Sequence, residues 1–107
     1  MKNIQLTCAH ALVKFLTKQK ILIDGKKEPL FPGAFGIFGH GNVACLGQAL
    51  QENQNDLPTW RGHHEQNMAL TGIAYSRAKR RKQIFVATSS VGPGSTNMIT
   101  AAAVAMS

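Results

Sequence analysis

The chain has 107 residues, 44% of them hydrophobic, and a formal net charge of +7. That length fits one domain or part of one, and the apolar share is that of an ordinary globular core, not of a disordered or membrane-embedded chain. Two cysteines, Cys8 and Cys45, give neither a disulfide framework nor a zinc spacing; set among apolar residues, they read as buried free thiols of a reducing compartment.

In chain order, the spacing of Leu6, Ala9, Leu12, Val13 and Leu16 predicts a helix from Thr7 to about Lys18, capped by Thr7. His10 and Lys14 interrupt its apolar run, so no signal peptide or membrane span is expected and the location reads as cytoplasmic. Ile21-Leu22-Ile23 is a short apolar piece before the turn signal Asp24-Gly25. Pro29 and Pro32 keep the rest of this stretch extended or looped, so residues 1–33 read as an N-terminal helix and arm.

Ala34 to Phe38 predicts a buried strand ending in a tight turn, Gly39-His40-Gly41-Asn42, whose small residues admit a close partner. A helix follows, with Val43, Leu46, Gly47 and Leu50 on one face, and ends over Asn53 to Asp56. Pro58 to Arg61 reads as a second strand, leading into a helix from Glu65 to about Arg80. Ile84 to Thr88 reads as a third strand, Ser89 to Ser95 as a loop, and Ser95 to Ser107 as a last helix that Ser95 can cap.

Strands alternating with helices imply an α/β fold, a parallel sheet with flanking helices. Ligands of such sheets bind at the carboxyl ends of the strands. The Gly39–Asn42 turn, the start of the Glu65 helix and the Ser89–Ser95 loop all belong to that edge. Three short parallel strands leave unpaired edges and bury little area, so the chain is expected to be a fragment of a longer protein rather than an isolated three-stranded domain, and its exposed edges suggest that the piece self-associates.

Glu65 stands out. Met68, Ala69, Gly72 and Ile73 follow it at the spacing of one helical face, which puts a carboxylate on an apolar stripe. Such a group is costly unless it is paired or protonated. The alternative is a first-turn glutamate that complements the helix dipole or completes a capping box, and on residue grounds alone that is the commoner case.

The run Arg77-Ala78-Lys79-Arg80-Arg81-Lys82 suits nucleic acid or an anionic membrane, or else a solvated last helical turn. A strand follows at once and no aromatic residues interleave with the basic ones, so neither nucleic acid nor membrane is the expected partner. His63, His64 and Glu65 are consecutive and point in different directions, which gives no metal spacing; only a meeting of His40 with His64 at the strand edge stays open. Ser89 to Ser95 lacks the Gly-Lys-Ser/Thr ending of a phosphate loop and reads as a strand-to-helix turn rich in small residues, whose helix start can still meet an anion.

Three segments taken together carry a resemblance. They are Phe38-Gly39-His40-Gly41-Asn42, Gly62-His63-His64-Glu65-Gln66, and Thr88-Ser89-Ser90-Val91-Gly92-Pro93-Gly94-Ser95-Thr96-Asn97. Their order resembles the pyrimidine-binding (PYR) domain of thiamine-diphosphate enzymes of the acetolactate synthase type. The N-terminal helix and Phe-Gly-His-Gly-Asn-Val resemble more narrowly a hydrolase subgroup that acts on an inositol-derived cyclic dione. Relatives usually carry Thr-Ser-Gly-Pro-Gly, where Ser90 and Val91 here are extra, and small residues where Asn67 and Met68 stand.

The resemblance implies an incomplete PYR-type thiamine-diphosphate-binding domain over residues 1–107, with the central and diphosphate-binding (PP) domains absent. It implies that Glu65 is the catalytic, cofactor-binding glutamate that hydrogen-bonds the aminopyrimidine ring nitrogen. It also implies that Mg²⁺ and the diphosphate bind the PP domain of a partner subunit in a homo-oligomer, so that this piece alone is inactive. His40 and Asn42 are candidates to face the substrate, against a turn that merely packs. A carboligase or decarboxylase of 2-oxo acids is the sister reading, and a small basic binding module is the reading from another class.

Overall fold

The computed structural model describes residues 2–107. Helix α1 spans Cys8–Lys18 and is capped as its sequence predicts: the Thr7 hydroxyl accepts from the His10 amide. Strands β1 (Lys20–Ile23) and β2 (Lys26–Pro29) form an antiparallel hairpin. Asp24 and Gly25 both take positive φ, 51° and 80°, the geometry that two-residue hairpin turns require. Of the extended and looped alternatives for the stretch after Ile23, the extended one holds up to Pro29, as a paired strand; Lys26, Lys27 and Pro29 have poor strand propensity, and the turn overrides it.

Strands β3 (Ala34–Gly36), β4 (Thr59–Arg61) and β5 (Val86–Thr88) form a parallel sheet in the order β4-β3-β5, with Phe35 opposite both Trp60 and Ala87. Alternate residues face opposite sides of a strand. Ala34 joins Val13, Ala49, Leu50 and Leu57 in the main buried cluster, with Val86, Phe31 and Phe38 packed against it. On the other face Phe35, Trp60, Phe85 and Tyr75 form an aromatic group with ring centroids 4.7–6.2 Å apart. Helices α4 (Glu65–Ala78) and α6 (Ile99–Met106) run beside this face, and Arg77 Nη2 donates to the Val104 carbonyl at 2.9 Å to join them.

The helix expected after the first turn is three pieces: α2 (His40–Asn42), a wide π turn (Val43–Gly47) and α3 (Gln48–Glu52). The π turn rotates Val43 away from the packed face and leaves it 57% exposed, while Leu50 is buried. His10 Nε2 lies 2.6 Å from Glu52 Oε2 and ties α1 to α3; that bond, more than the one from Gln48, holds the Glu52 carboxyl below its ordinary range. Both cysteines are free but exposed, against the expectation of burial. Cys8 opens α1 on its outer side and Cys45 rides the π turn, so apolar neighbours in sequence are not neighbours in space.

The last helix also divides. Pro93–Thr96 forms a short α5, and α6 begins only at Ile99. Gly92, not Ser95, is the residue before α5, and the Ser95 hydroxyl donates instead to the Ser90 carbonyl at 2.7 Å. Past α4, the amide of Arg81 bonds back to the Ser76 carbonyl and that of Arg80 to Arg77, the paired bonds of a Schellman ending, which normally employs glycine. Arg80 and Arg81 take φ of 54° and 62° to make it, so this part of the basic run turns the chain toward β5.

Gly33 precedes the sheet beneath the aromatic group. A Cβ there would stand 2.6 Å from Trp60 Cζ3 and press on the Phe85 ring. These rings are rigid and packed on each other, so Gly33→Ala is expected to cost about 1–3 kcal/mol as overpacking. A lower midpoint in denaturant unfolding checks it; an unchanged midpoint would mean the rings have room to move.

Candidate active site

In a parallel sheet the carboxyl ends of all strands lie on one edge. From β3 the chain runs through Gly39, His40 and Asn42; from β4 through Gly62, His63 and His64 into α4; from β5 through Ser89 and Ser90 to Gly94. The ladder extends into these loops. The Ile37 amide donates to the Thr88 carbonyl at 3.1 Å and the Gly62 amide to the Gly36 carbonyl at 3.2 Å. Asn42 Nδ2 donates to the Ser89 carbonyl at 3.2 Å, which binds the first loop to the third. Gly39 sits so close to the third loop that a Cβ on it would meet Ser90 Cβ at 3.0 Å.

Glu65 is the first residue of α4 and is half-buried. Met68, Ala69 and Gly72 behind it are buried, so the stripe seen in the sequence is the packed face of the helix. A capping box requires the acidic residue at the third helical position, which here is Asn67, so that alternative does not hold for Glu65. His64 precedes the helix and makes no side-chain cap bond. A favourable interaction with the helix dipole remains, and is compatible with a second role.

The carboxylate is lodged against the third loop. Gly94 is buried, and a Cβ on it would lie 2.6 Å from Glu65 Oε2 and would overlap Ser90 Oγ. Glycine is therefore required at this position to let the carboxylate in. No other side chain among the described residues hydrogen-bonds or ion-pairs with that carboxylate, the single ion pair being His10 with Glu52. The result is an acceptor group on an apolar stripe, seated on bare backbone, with its bonding capacity unspent.

Two hollows flank this point. One, of about 430 Å³, is lined by Phe38, Gly39, His40, Gly41, Asn42, Ser90 and Val91. The other, of about 250 Å³, is lined by Phe35, Arg61, Gly62, His63, His64, Asn67, Met68 and Thr71. His40 and Asn42 thus share a hollow, as their turn suggests, and His40 is exposed in it. His40 and His64 line different hollows, and no hydrogen bond joins them among the described residues. Among the described residues no three His, Cys, Asp or Glu side chains group as metal ligands, and no helix is long and apolar enough to cross a membrane.

Ser90 and Gly94 are the residues of this site that sequence reasoning did not single out. Their loop stood out as rich in small residues, but spacing could not tell which serine turns inward.

Comparison with known proteins identifies relatives of the chain as a whole. The chain is 54% identical over 105 residues to a 3D-(3,5/4)-trihydroxycyclohexane-1,2-dione hydrolase of Geobacillus thermodenitrificans (strain NG80-2), an alignment covering 98% of this chain and 16% of that protein. Proteins of the same name from Bacillus thuringiensis (strain Al Hakam) and Bacillus cereus (strain 03BB102) are each 52% identical over the same shares. The chain thus spans about 16% of the length of these relatives. No solved structure matches it. The family described as "Thiamine pyrophosphate enzyme, N-terminal TPP binding domain" matches residues 6–107, and the chain belongs to that family.

Proposed function

We propose that the chain is the N-terminal, pyrimidine-binding part of a thiamine-diphosphate-dependent hydrolase that opens the carbon ring of a trihydroxycyclohexane-1,2-dione in inositol breakdown. The observation that carries this is the unpartnered Glu65 carboxylate seated on Gly94 at the carboxyl edge of the sheet. Identity above 50% to hydrolases of that name supports the choice of substrate.

The residues present suit the cofactor. Glu65 would hold the ring nitrogen of the aminopyrimidine, for which a carboxyl group is the fitting partner because it can both accept and share a proton. Met68, Ala69 and Gly72 close the space behind it and keep water away from that bond. Bound thiamine diphosphate supplies the electron sink for breaking a carbon–carbon bond beside a carbonyl. The diphosphate and Mg²⁺ would be held by a PP domain of a partner subunit in a cytoplasmic homo-oligomer, which makes this domain half of a site and inactive alone. His40 and Asn42 would face the polyol-derived dione from the larger hollow.

Turnover by the full-length protein tests this. Hydrolysis of the cyclic dione is expected, with little conversion of 2-oxo acids. Faster carboligation or decarboxylation of 2-oxo acids would move the protein to the sister class.

A further inference from the structure

We propose that Ser90 is a positioning residue for Glu65, its hydroxyl donating to the carboxylate and fixing the direction in which that carboxylate faces. This rests on the reading of Glu65 as the group that holds the cofactor's aminopyrimidine. Ser90 Oγ and Glu65 Oε2 both stand within 2.6 Å of one point, the place a Gly94 Cβ would occupy. Two oxygens that crowd one methyl-sized space are neighbours, and a turn of either side chain brings them into contact.

Their chemistry is complementary. An ionised carboxylate only accepts hydrogen bonds, whereas a serine hydroxyl carries one proton to donate. The other bonds of the Ser90 region go elsewhere: its carbonyl accepts from Ser95 Oγ at 2.7 Å and from Ser89 Oγ at 3.0 Å. The neighbouring Ser89 carbonyl is held by Asn42, and Gly39 packs on the Ser90 Cβ. The backbone is thus fixed on three sides while the hydroxyl rotor has no partner among the described residues. Ser90 also lines the hollow that holds His40 and Asn42, which Glu65 does not reach. Its side chain therefore adjoins both the carboxylate's seat and that hollow.

The test uses Ser90→Ala and Ser90→Thr in the full-length protein, beside Glu65→Gln. Losing a hydrogen bond to a charged group is expected to lower kcat about 10- to 100-fold in Ser90→Ala, with KM for the dione little changed. Ser90→Thr keeps a hydroxyl and is expected to restore most of the rate. In cofactor-free protein, the ¹³C resonance of the Glu65 carboxyl is expected to move in Ser90→Ala and return in Ser90→Thr. Unchanged kcat and resonance in Ser90→Ala, with Glu65→Gln inactive, would overturn the role of Ser90 and leave that of Glu65 standing. Equal losses in both serine variants would also overturn it, since packing and not the hydroxyl would then matter. An active Glu65→Gln would instead remove the reading on which the proposal rests.

Discussion

Glu65→Gln in the full-length protein is expected to lower turnover by about 10²- to 10⁴-fold while the fold and melting behaviour stay near normal. Glutamine has the same shape and replaces one carboxylate oxygen by an amide nitrogen that cannot take up or share a proton. The substitution costs the fold little. The side chain is half-buried, forms no ion pair, and gives up only a dipole interaction worth about 0.3–1 kcal/mol. Kinetics and thermal unfolding measured on the same preparation check both halves of this expectation. A purely capping glutamate would give the opposite pattern, with normal turnover and a small loss of stability.

Gly94→Ala is expected to be nearly as damaging to turnover, although Glu65 itself is untouched. The new Cβ would stand 2.6 Å from Glu65 Oε2 and would overlap Ser90 Oγ. The carboxylate is the far end of a flexible side chain, so it yields without disturbing the backbone. The fold therefore survives and the carboxylate is displaced from its seat by about 1 Å, enough to bring the contact to ordinary van der Waals distance. Misplacement on the scale of 1 Å costs about 10²-fold in rate. If Gly94→Ala is fully active, the carboxylate does not work from the position seen here. Gly33→Ala completes the contrast, since there the obstacle is a set of stacked rings and the loss falls on stability.

Much of this arrangement is legible in the residue pattern. Periodicity marks the packed face of α4 from Glu65 to Gly72, and the alternation of strands and helices implies the parallel sheet and its functional edge. These depend on side-chain spacing, which a sequence displays directly. Features decided by backbone geometry or by distant partners are less visible. The Asp24-Gly25 hairpin pairs a segment of weak strand propensity because the turn aligns it. The π turn at Val43–Gly47 shifts one residue off the packed face, and no periodic template contains that shift. Cys8 and Cys45 are exposed because burial depends on which face of an element packs on its neighbours, not on which residues adjoin in the chain. The same limit hid Ser90 and Gly94. Their relation to Glu65 spans more than 20 residues of chain and exists only because β4 and β5 both flank β3.

The role proposed for Glu65 is to meet the aminopyrimidine ring and activate the cofactor. Exchange of the thiazolium C2 proton of bound thiamine diphosphate with solvent deuterium, followed by NMR in wild-type and Glu65→Gln full-length protein, tests it most directly. Exchange is expected to slow by orders of magnitude in the variant while the cofactor remains bound. Equal exchange rates in the two proteins would contradict the role assigned to Glu65.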